Sequence, residues 1–372
     1  MPKLLILTAN TGGGHVSLAE ALRDLLADTC DTEIVDPYPA IVRLHYRLVS
    51  RHALAIWAAE YALLDTAHGA LAAHKLAALA LNRRLAALLR RGDYDLVFST
   101  FPFLSYEAMH AIRPLAQPIP FVMLPADPDR LHASWLTERG ATATLAPTRE
   151  TYAQLLAAGF APDRLHLAGW PVRRQFWDAA PASRAAILAR LGLDRDRFTL
   201  FVQGGGEGSA GFARSIDAAL AAAPDLIQII LAIGTNRSLA EQFEGAARVR
   251  TIPFTRDIAP FMAAADVVLG KAGPNTLFEA VMLGKPFIAT TYIPGQEQAN
   301  LAFIQSHGLG WIALDALAQQ RLIATLATNP GQLRSMDATV RRYCEWNAAA
   351  VSSIPELING LVARAGSSAS NA

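Results

Sequence analysis

Twice in this chain of 372 residues an apolar run ends in three consecutive glycines and then passes into a helix-period run, at "KLLILTANTGGGHVSLAEAL" and at "FTLFVQGGGEGSAGFARS". A glycine-rich turn between a strand and a helix lets backbone N–H groups and the positive helix end come close to an anion, and it opens a βαβ unit. One such opening at the head of each half predicts an α/β protein of two doubly wound, Rossmann-like domains with an interdomain cleft. The length agrees, since 372 residues exceed what one core comfortably organises.

The alternation continues between the two turns and beyond them. Strand-like runs read "TEIVD", "DLVFST", "PFVMLPAD", "ATATLAP" and "RLHLAG" in the first half, then "DLIQIILAIG", "VRTIPF", "DVVLGKAG" and "KPFIATTY" in the second. The helix after the first glycines carries Leu18, Leu22, Leu25 and Leu26 on one face. The stretch "GWPVRRQFWDAAPASR" interrupts the pattern before it restarts, so we place a first domain at 1–175, a second at 176–340, and a C-terminal helix with a flexible tail at 341–372. The ending "ARAGSSASNA" is small and polar and is expected to fray.

Composition narrows the partners. With 52% hydrophobic and 17% charged residues the chain reads as folded, and a formal net charge of +1 gives no global reason to expect nucleic acid. Cys30 and Cys344 are too few and too far apart for a disulfide framework or a thiolate metal site, which suits the reducing cytosol. The run "LLIL" is broken at once by Thr8 and Asn10, so it reads as a strand and not as a leader or membrane span, and no other run is long enough to cross a bilayer.

Three local features carry chemistry. Gly206, Gly208 and Gly211 have the spacing of the dinucleotide fingerprint, yet "IILAIG" ends without the acidic residue that would hold a ribose; Gly12 and Gly14 do have Asp36 downstream, with Ser17 in place of the third glycine. A nicotinamide dehydrogenase thus keeps some support from Asp36. The stretch "ADPDR" sets Asp127 and Asp129 at a spacing used by metal-binding pairs. Between Pro39 and Asp93, Arg43, Arg47 and Arg51 fall at i, i+4 intervals near Tyr46, Trp57 and Tyr61, followed by Lys75, Arg83, Arg84, Arg90 and Arg91 and opposed only by Glu60 and Asp65. Such a system describes either a surface that lies on an anionic membrane or a helical layer packed on the first sheet, and different faces can do both.

The stretch "GKAGPNTLFEAVMLGKPFIATTYIPGQEQAN", Gly270 to Asn300, closely resembles the sugar-nucleotide site of GT-B glycosyltransferases, and within them the monogalactosyldiacylglycerol synthase and processive diacylglycerol glucosyltransferase family. The related peptidoglycan N-acetylglucosaminyltransferase is a more distant match. The family's segments recur in order: "TGGGH" at Thr11–His15, "PFV" with Asp127 beyond it, "GWPVR", "GGGEG", "KAGPNTLFEA" and "PGQEQAN". The last two, side by side, are the specific signal.

The resemblance implies a GT-B fold and an inverting transfer of galactose or glucose from a UDP-sugar to diacylglycerol, by a peripheral enzyme on the cytoplasmic face of the membrane. It places the UDP-hexose against Gly204, Gly205, Gly206, Glu207 and Gly234, with the uracil at the backbone around Phe254. The diphosphate falls to the helix start at Gly273, Pro274, Asn275 and Thr276, the ribose hydroxyls to Glu279, and the hexose to Gln296, Glu297 and Asn300. Gly13 and Gly14 give donor and acceptor a close approach, and His15, with an ordinary pKa near neutrality, is suited to take the acceptor's proton; Asp127 is the second catalytic candidate. The family stabilises its leaving diphosphate with helix ends and backbone donors, so no metal and no cofactor is expected, and "ADPDR" is not read as a metal pair. The family's His-Pro near "HASW" is here His132 followed by Ala133. The region "GWPVRRQF" is the expected hinge. Transfer to a polyprenyl diphosphate sugar and a UDP-sugar 2-epimerase remain alternatives.

Overall fold

The computed structural model describes residues 1–11, 13–115, 117, 119–177, 184–203 and 212–370. Its chain divides into two units, the first made of Met1–Arg173, Pro294–Ala299 and Trp346–Ala372, the second of Arg174–Ile293 and Asn300–Glu345.

The first sheet contains β1 (Lys3–Leu7), β2 (Asp31–Val35), β3 (Leu96–Ser99), β4 (Phe121–Met123), β5 (Ala143–Ala146) and β6 (Leu165–Leu167), all parallel, in the order β2-β1-β3-β4-β5-β6. Leu4 to Leu7 are fully buried, as a strand covered by helices on both faces requires. The helices are α1 (Gly14–Leu26), α2 (Ala40–His52), α3 (Leu54–Leu64), α4 (Ala67–Gly92), α5 (Ser105–Ile112) and α6 (Arg149–Ala157). The connection from β2 to β3 thus holds three helices instead of one. On α4, Ala70, His74, Ala78, Leu81, Leu85 and Leu89 form the buried stripe, while Leu76 and Leu79 on another face are exposed.

The second sheet contains β7 (Phe198–Gln203), β8 (Ile227–Gly234), β9 (Val249–Pro253), β10 (Val267–Lys271), β11 (Phe287–Thr291) and β12 (Gly310–Ile312), again parallel, in the order β12-β11-β10-β7-β8-β9. Around it run α7 (Arg184–Arg190), α8 (Phe212–Ala222), α9 (Arg237–Gln242), α10 (Ala259–Ala263), α11 (Pro274–Met282), α12 (Gln298–Ser306) and α13 (Ala316–Thr328). Two long helices, α14 (Pro330–Val351) and α15 (Ile354–Ser370), end the chain. The expected fraying gives way to helix as far as Ser370, because Ile354, Ile358 and Leu361 bury one side of α15 and its remaining alanines favour helix. Both halves are doubly wound α/β structures. Each sheet reverses its strand order once, between β1 and β3 in the first and between β7 and β10 in the second. Open α/β sheets bind ligands beyond the carboxyl ends of the strands at such points, and both glycine turns follow a strand that flanks one.

Candidate active site

At the first reversal point Gly13, with φ of 82°, turns the chain from β1 into α1 and caps that helix without a side chain, which only glycine does cheaply. Gly14 is the first residue of α1 and His15 the second. The imidazole Nδ1 lies 2.8 Å from the Thr100 carbonyl at the end of β3, and Thr100 Oγ1 returns a bond to the His15 carbonyl at 3.3 Å. A carbonyl can only accept, so Nδ1 carries the proton and Nε2 keeps its lone pair. The Phe101 ring meets the imidazole at right angles, 4.8 Å between centroids. Burial pushes the His15 pKa down to about 4, outweighing the Thr100 bond, so the near-neutral value expected from its residue type is corrected. The ring is neutral throughout the physiological range. Asp36 accepts from the backbone N–H groups of Asn10 and Tyr38 at 3.1 and 2.9 Å, closing the loops after β1 and β2 on each other. That internal duty accounts for an acid at this position without a dinucleotide.

Asp127 follows β4. Its Oδ2 accepts from the Trp135 indole at 2.8 Å, and burial raises its pKa to about 7 against the opposing bonds from Trp135 and the His132 backbone, with Asp65 adding to the rise. The intervening turn is held tightly. Asp65 takes the Ala133 N–H at 2.9 Å and Arg130 at 2.6 Å; His132 Nδ1 accepts from the Ser134 backbone at 3.2 Å and faces the Ser134 hydroxyl at 2.6 Å. His132 Nε2–H therefore donates to the Tyr61 carbonyl, 3.3 Å away, and burial keeps this second imidazole neutral by lowering its pKa. Asp129 offers its backbone carbonyl to Gln154. Among the described residues no group of three His, Cys, Asp or Glu side chains could hold a metal ion.

Sequence reasoning missed the support beneath this turn. His74 on α4 and Glu107 on α5 are fully buried side by side, Nδ1 to Oε1 at 2.9 Å, and His74 Nε2 donates to the Ser134 carbonyl at 3.0 Å. Burial raises the Glu107 pKa, and its Oε2 has no partner among the described residues. The buried stripe of α4 was the one available signal, since a histidine at a position otherwise taken by alanine and leucine needs polar partners. Trp57 and Tyr61 are corrected too: they are partly buried, with Tyr61 stacked obliquely on His132 at 4.5 Å, and so do not present free interfacial rings. The side chains of Arg43, Tyr46, Arg47 and Arg51 lie outside the described residues.

In the second unit, the N-terminus of α11 follows β10 directly. Gly273 is its N-cap and Pro274 its first residue, whose missing N–H costs nothing there, with Asn275 and Thr276 completing the first turn. Glu279 is buried, 3% exposed, and has partners within the protein. Asn300 on α12 donates from Nδ2 to the Ala272 carbonyl at 2.8 Å, which fixes the loop between β10 and α11. The Phe254 N–H donates to the Gly234 carbonyl at 3.0 Å while its ring is 64% exposed, so these two expected donor contacts are joined. Gly12, Gly204, Gly205, Gly206, Glu207, Gly208 and Gly211 lie outside the described residues. Gln296 and Glu297 belong to the segment 294–299 of the first unit, where Glu297 is buried and Gln296 Oε1 is buried with no partner among the described residues.

Known proteins resemble the chain along most of its length. Residues 17–172 match the model of monogalactosyldiacylglycerol (MGDG) synthase, and residues 199–338 match the glycosyltransferase family 28 C-terminal domain. The chain is 28% identical over 364 residues to the probable monogalactosyldiacylglycerol synthase 2, chloroplastic, of Oryza sativa subsp. indica, covering 89% of this chain and 75% of the relative. It is 26% identical over 369 residues to monogalactosyldiacylglycerol synthase 3, chloroplastic, of Arabidopsis thaliana, covering 90% and 76%. The chain is thus similar to monogalactosyldiacylglycerol synthases along most of its length. Among solved structures, Anabaena HepE in complex with UDP and glucose superposes with a TM-score of 0.57 at 16% identity, over 96% of this chain and 100% of that one. The fold is GT-B.

As a UDP-sugar hexosyltransferase similar to MGDG synthases, the protein needs a group that accepts a proton from a hydroxyl and donors that receive a leaving group. His15 Nε2 and the Asp127 carboxylate supply two candidates for the first, one neutral well below physiological pH and one titrating near it. For the second, the first turn of α11 offers backbone N–H groups as a candidate. Among the described residues no helix is long and apolar enough to cross a membrane. The helices α2 to α4 nevertheless leave Ile41, Leu44, Leu48, Leu54, Ile56, Leu63, Leu76 and Leu79 exposed, and on α4 Lys75, Arg83, Arg84, Arg90 and Arg91 are exposed with them.

Proposed function

We propose that this enzyme forms a glycolipid by moving a hexose from a UDP-sugar to the free hydroxyl of diacylglycerol, with inversion at the anomeric carbon and without a metal ion or other cofactor. The observation that carries the reading is His15. It stands at the first sheet's reversal point, held by Thr100 in the tautomer whose Nε2 can accept a proton, on a glycine-capped helix that favours nearby negative charge. The uracil goes to the backbone at Phe254 and Gly234, the diphosphate to the start of α11, the ribose to Glu279 and the hexose to Gln296 and Glu297, while Asn300 holds the loop that carries the phosphate site. A hydroxyl that attacks from the face opposite the leaving UDP inverts the centre, and His15 takes its proton as the bond forms.

The acceptor is met at an anionic membrane surface, on the cytoplasmic face. Exposed leucines interleaved with cations along α4 are the composition of a surface that rests in a headgroup layer, and both cysteines are free thiols, which suits a reducing compartment. No nucleic acid partner is proposed. Incubation with UDP-galactose or UDP-glucose and vesicles of anionic lipid containing diacylglycerol, in EDTA, tests the whole reading. UDP and a hexosyl diacylglycerol of inverted configuration are expected. Conversion of the nucleotide sugar with no lipid product would make the protein an epimerase, and restoration of turnover only by a divalent cation would overturn the metal-free mechanism.

A further inference from the structure

Tyr61 reads in the sequence as one aromatic of a surface helix, and the structure puts it elsewhere. Its ring faces Gly295, where an added Cβ would lie 2.9 Å from Tyr61 Cδ1, so the turn opening "PGQEQAN" sits directly on the phenyl face. With φ of 80° at Gly295, the turn requires glycine twice over, for its backbone and for this approach. On another side the ring meets His132, and the Tyr61 carbonyl holds His132 Nε2–H. Burial above all, with the negative charges of Asp127 and Asp65 adding to it, raises the phenol's pKa and keeps it protonated at any physiological pH. The hydroxyl makes no hydrogen bond among the described residues, although the neighbouring polar groups of this turn, His132, Ser134, Ala133 and Arg130, are paired. Gln296, next to Gly295 in the same segment, buries an Oε1 that is also without a partner.

A phenol O–H and an amide oxygen are thus left unspent around an aromatic face and a carboxylate that titrates near neutrality. A buried oxygen such as that of Gln296 is normally satisfied, and a ligand is one of the things that satisfies it, while the phenol O–H is not sealed from solvent and is open to the same ligand. The complement of this set is a molecule with several hydroxyls, each both donor and acceptor, and C–H faces that can lie on a ring. We propose that Tyr61 is a sugar-binding residue, which hydrogen-bonds a hydroxyl of the donor hexose together with Gln296 and holds the Gly295 turn over it. This rests on the reading of the chain as a UDP-hexose transferase. It assigns to the helical layer a part in donor recognition besides its exposed surface.

The test compares Tyr61→Phe, which keeps the ring on Gly295 and removes only the hydroxyl, with Tyr61→Ala, which removes both. Calorimetry with UDP, UDP-galactose and UDP-glucose is run on each beside the parent. Tyr61→Phe is expected to bind UDP as the parent does and to bind at least one UDP-hexose about five- to twentyfold more weakly, the factor of one hydrogen bond. A change in the galactose-to-glucose ratio of kcat/KM is expected with it. Unchanged affinity for both UDP-hexoses in a folded Tyr61→Phe would overturn the assignment. So would a fall in UDP-hexose affinity confined to Tyr61→Ala, which would make the ring a support for the turn. A parent that binds no UDP-hexose would overturn the UDP-hexose reading itself, and this assignment with it.

Discussion

Burial does different work in the two units of this protein. In the second, buried polar side chains are spent on fixing backbone: Asn300 on the Ala272 carbonyl, Thr290 on that of Gly270 and Gln228 on that of Asp194. In the first, burial acts on titration, pushing His15 down to about 4, Asp127 up to about 7, Glu107 up and His132 down. Lys285 and Asp337 shift in the second unit as well, but Lys285 stands just ahead of β11, at the end of the sheet away from the glycine turns. On the proposed reading, the contrast separates a surface that must be stiff to recognise a ligand from one in which a proton must move.

The largest effect that can break this contrast is on the rate. His15→Ala removes the proposed base and should lower kcat by about 10²–10⁴-fold with little change in UDP affinity. The two candidate bases also differ in pH dependence. A His15 that is neutral above about pH 4 leaves kcat/KM level from pH 8 to pH 5, which is the expected profile. A tenfold fall per unit below pH 7, kept in His15→Ala, would transfer the role to Asp127.

Next in size is recognition by the second unit. Glu279→Ala should cost about 1.5–3 kcal/mol of UDP binding, the loss of a charged acceptor of two ribose hydroxyls. Calorimetry on the folded variant decides it. Unchanged UDP affinity would make Glu279, 3% exposed, a purely internal residue and would leave the second unit without its ribose contact.

How legible all this was in the sequence follows the same divide. Buried parallel strands read as apolar runs, so eleven of the twelve among the described residues could be placed, and β12 escaped because "GWI" is too short to carry a pattern. Local elements made within one motif, such as the Gly273-capped helix that carries Glu279, could be placed in advance. Sites made by long-range contact could not: His74 and Glu107 meet across 33 residues, and His132 reaches the Tyr61 carbonyl across 71. A helical pattern tells which face is apolar, not what faces it, so Tyr61 looked like a surface aromatic. The location of His15 was legible from its glycines, while its pKa depends on enclosure that no local spacing encodes.

The smallest effect sharpens the contrast through stability. A carboxylate whose native pKa is raised from 3.8 to about 7 binds its proton more tightly folded than unfolded. Its contribution to stability is therefore full below about pH 4 and is lost as pH rises towards 7, the sign opposite to that of a salt-bridged aspartate. A shift of this size corresponds to at most about 4 kcal/mol, and because Asp127 keeps some contact with solvent we expect about 1–2 kcal/mol. Asp127→Asn preserves the shape and an acceptor for the Trp135 indole but cannot ionise. The variant should melt with the parent at pH 4 and above it at pH 8, by about 1–3 °C on a chain of this size. Equal melting at both pH values would mean that Asp127 is comfortably solvated when charged and carries that charge at no expense of stability.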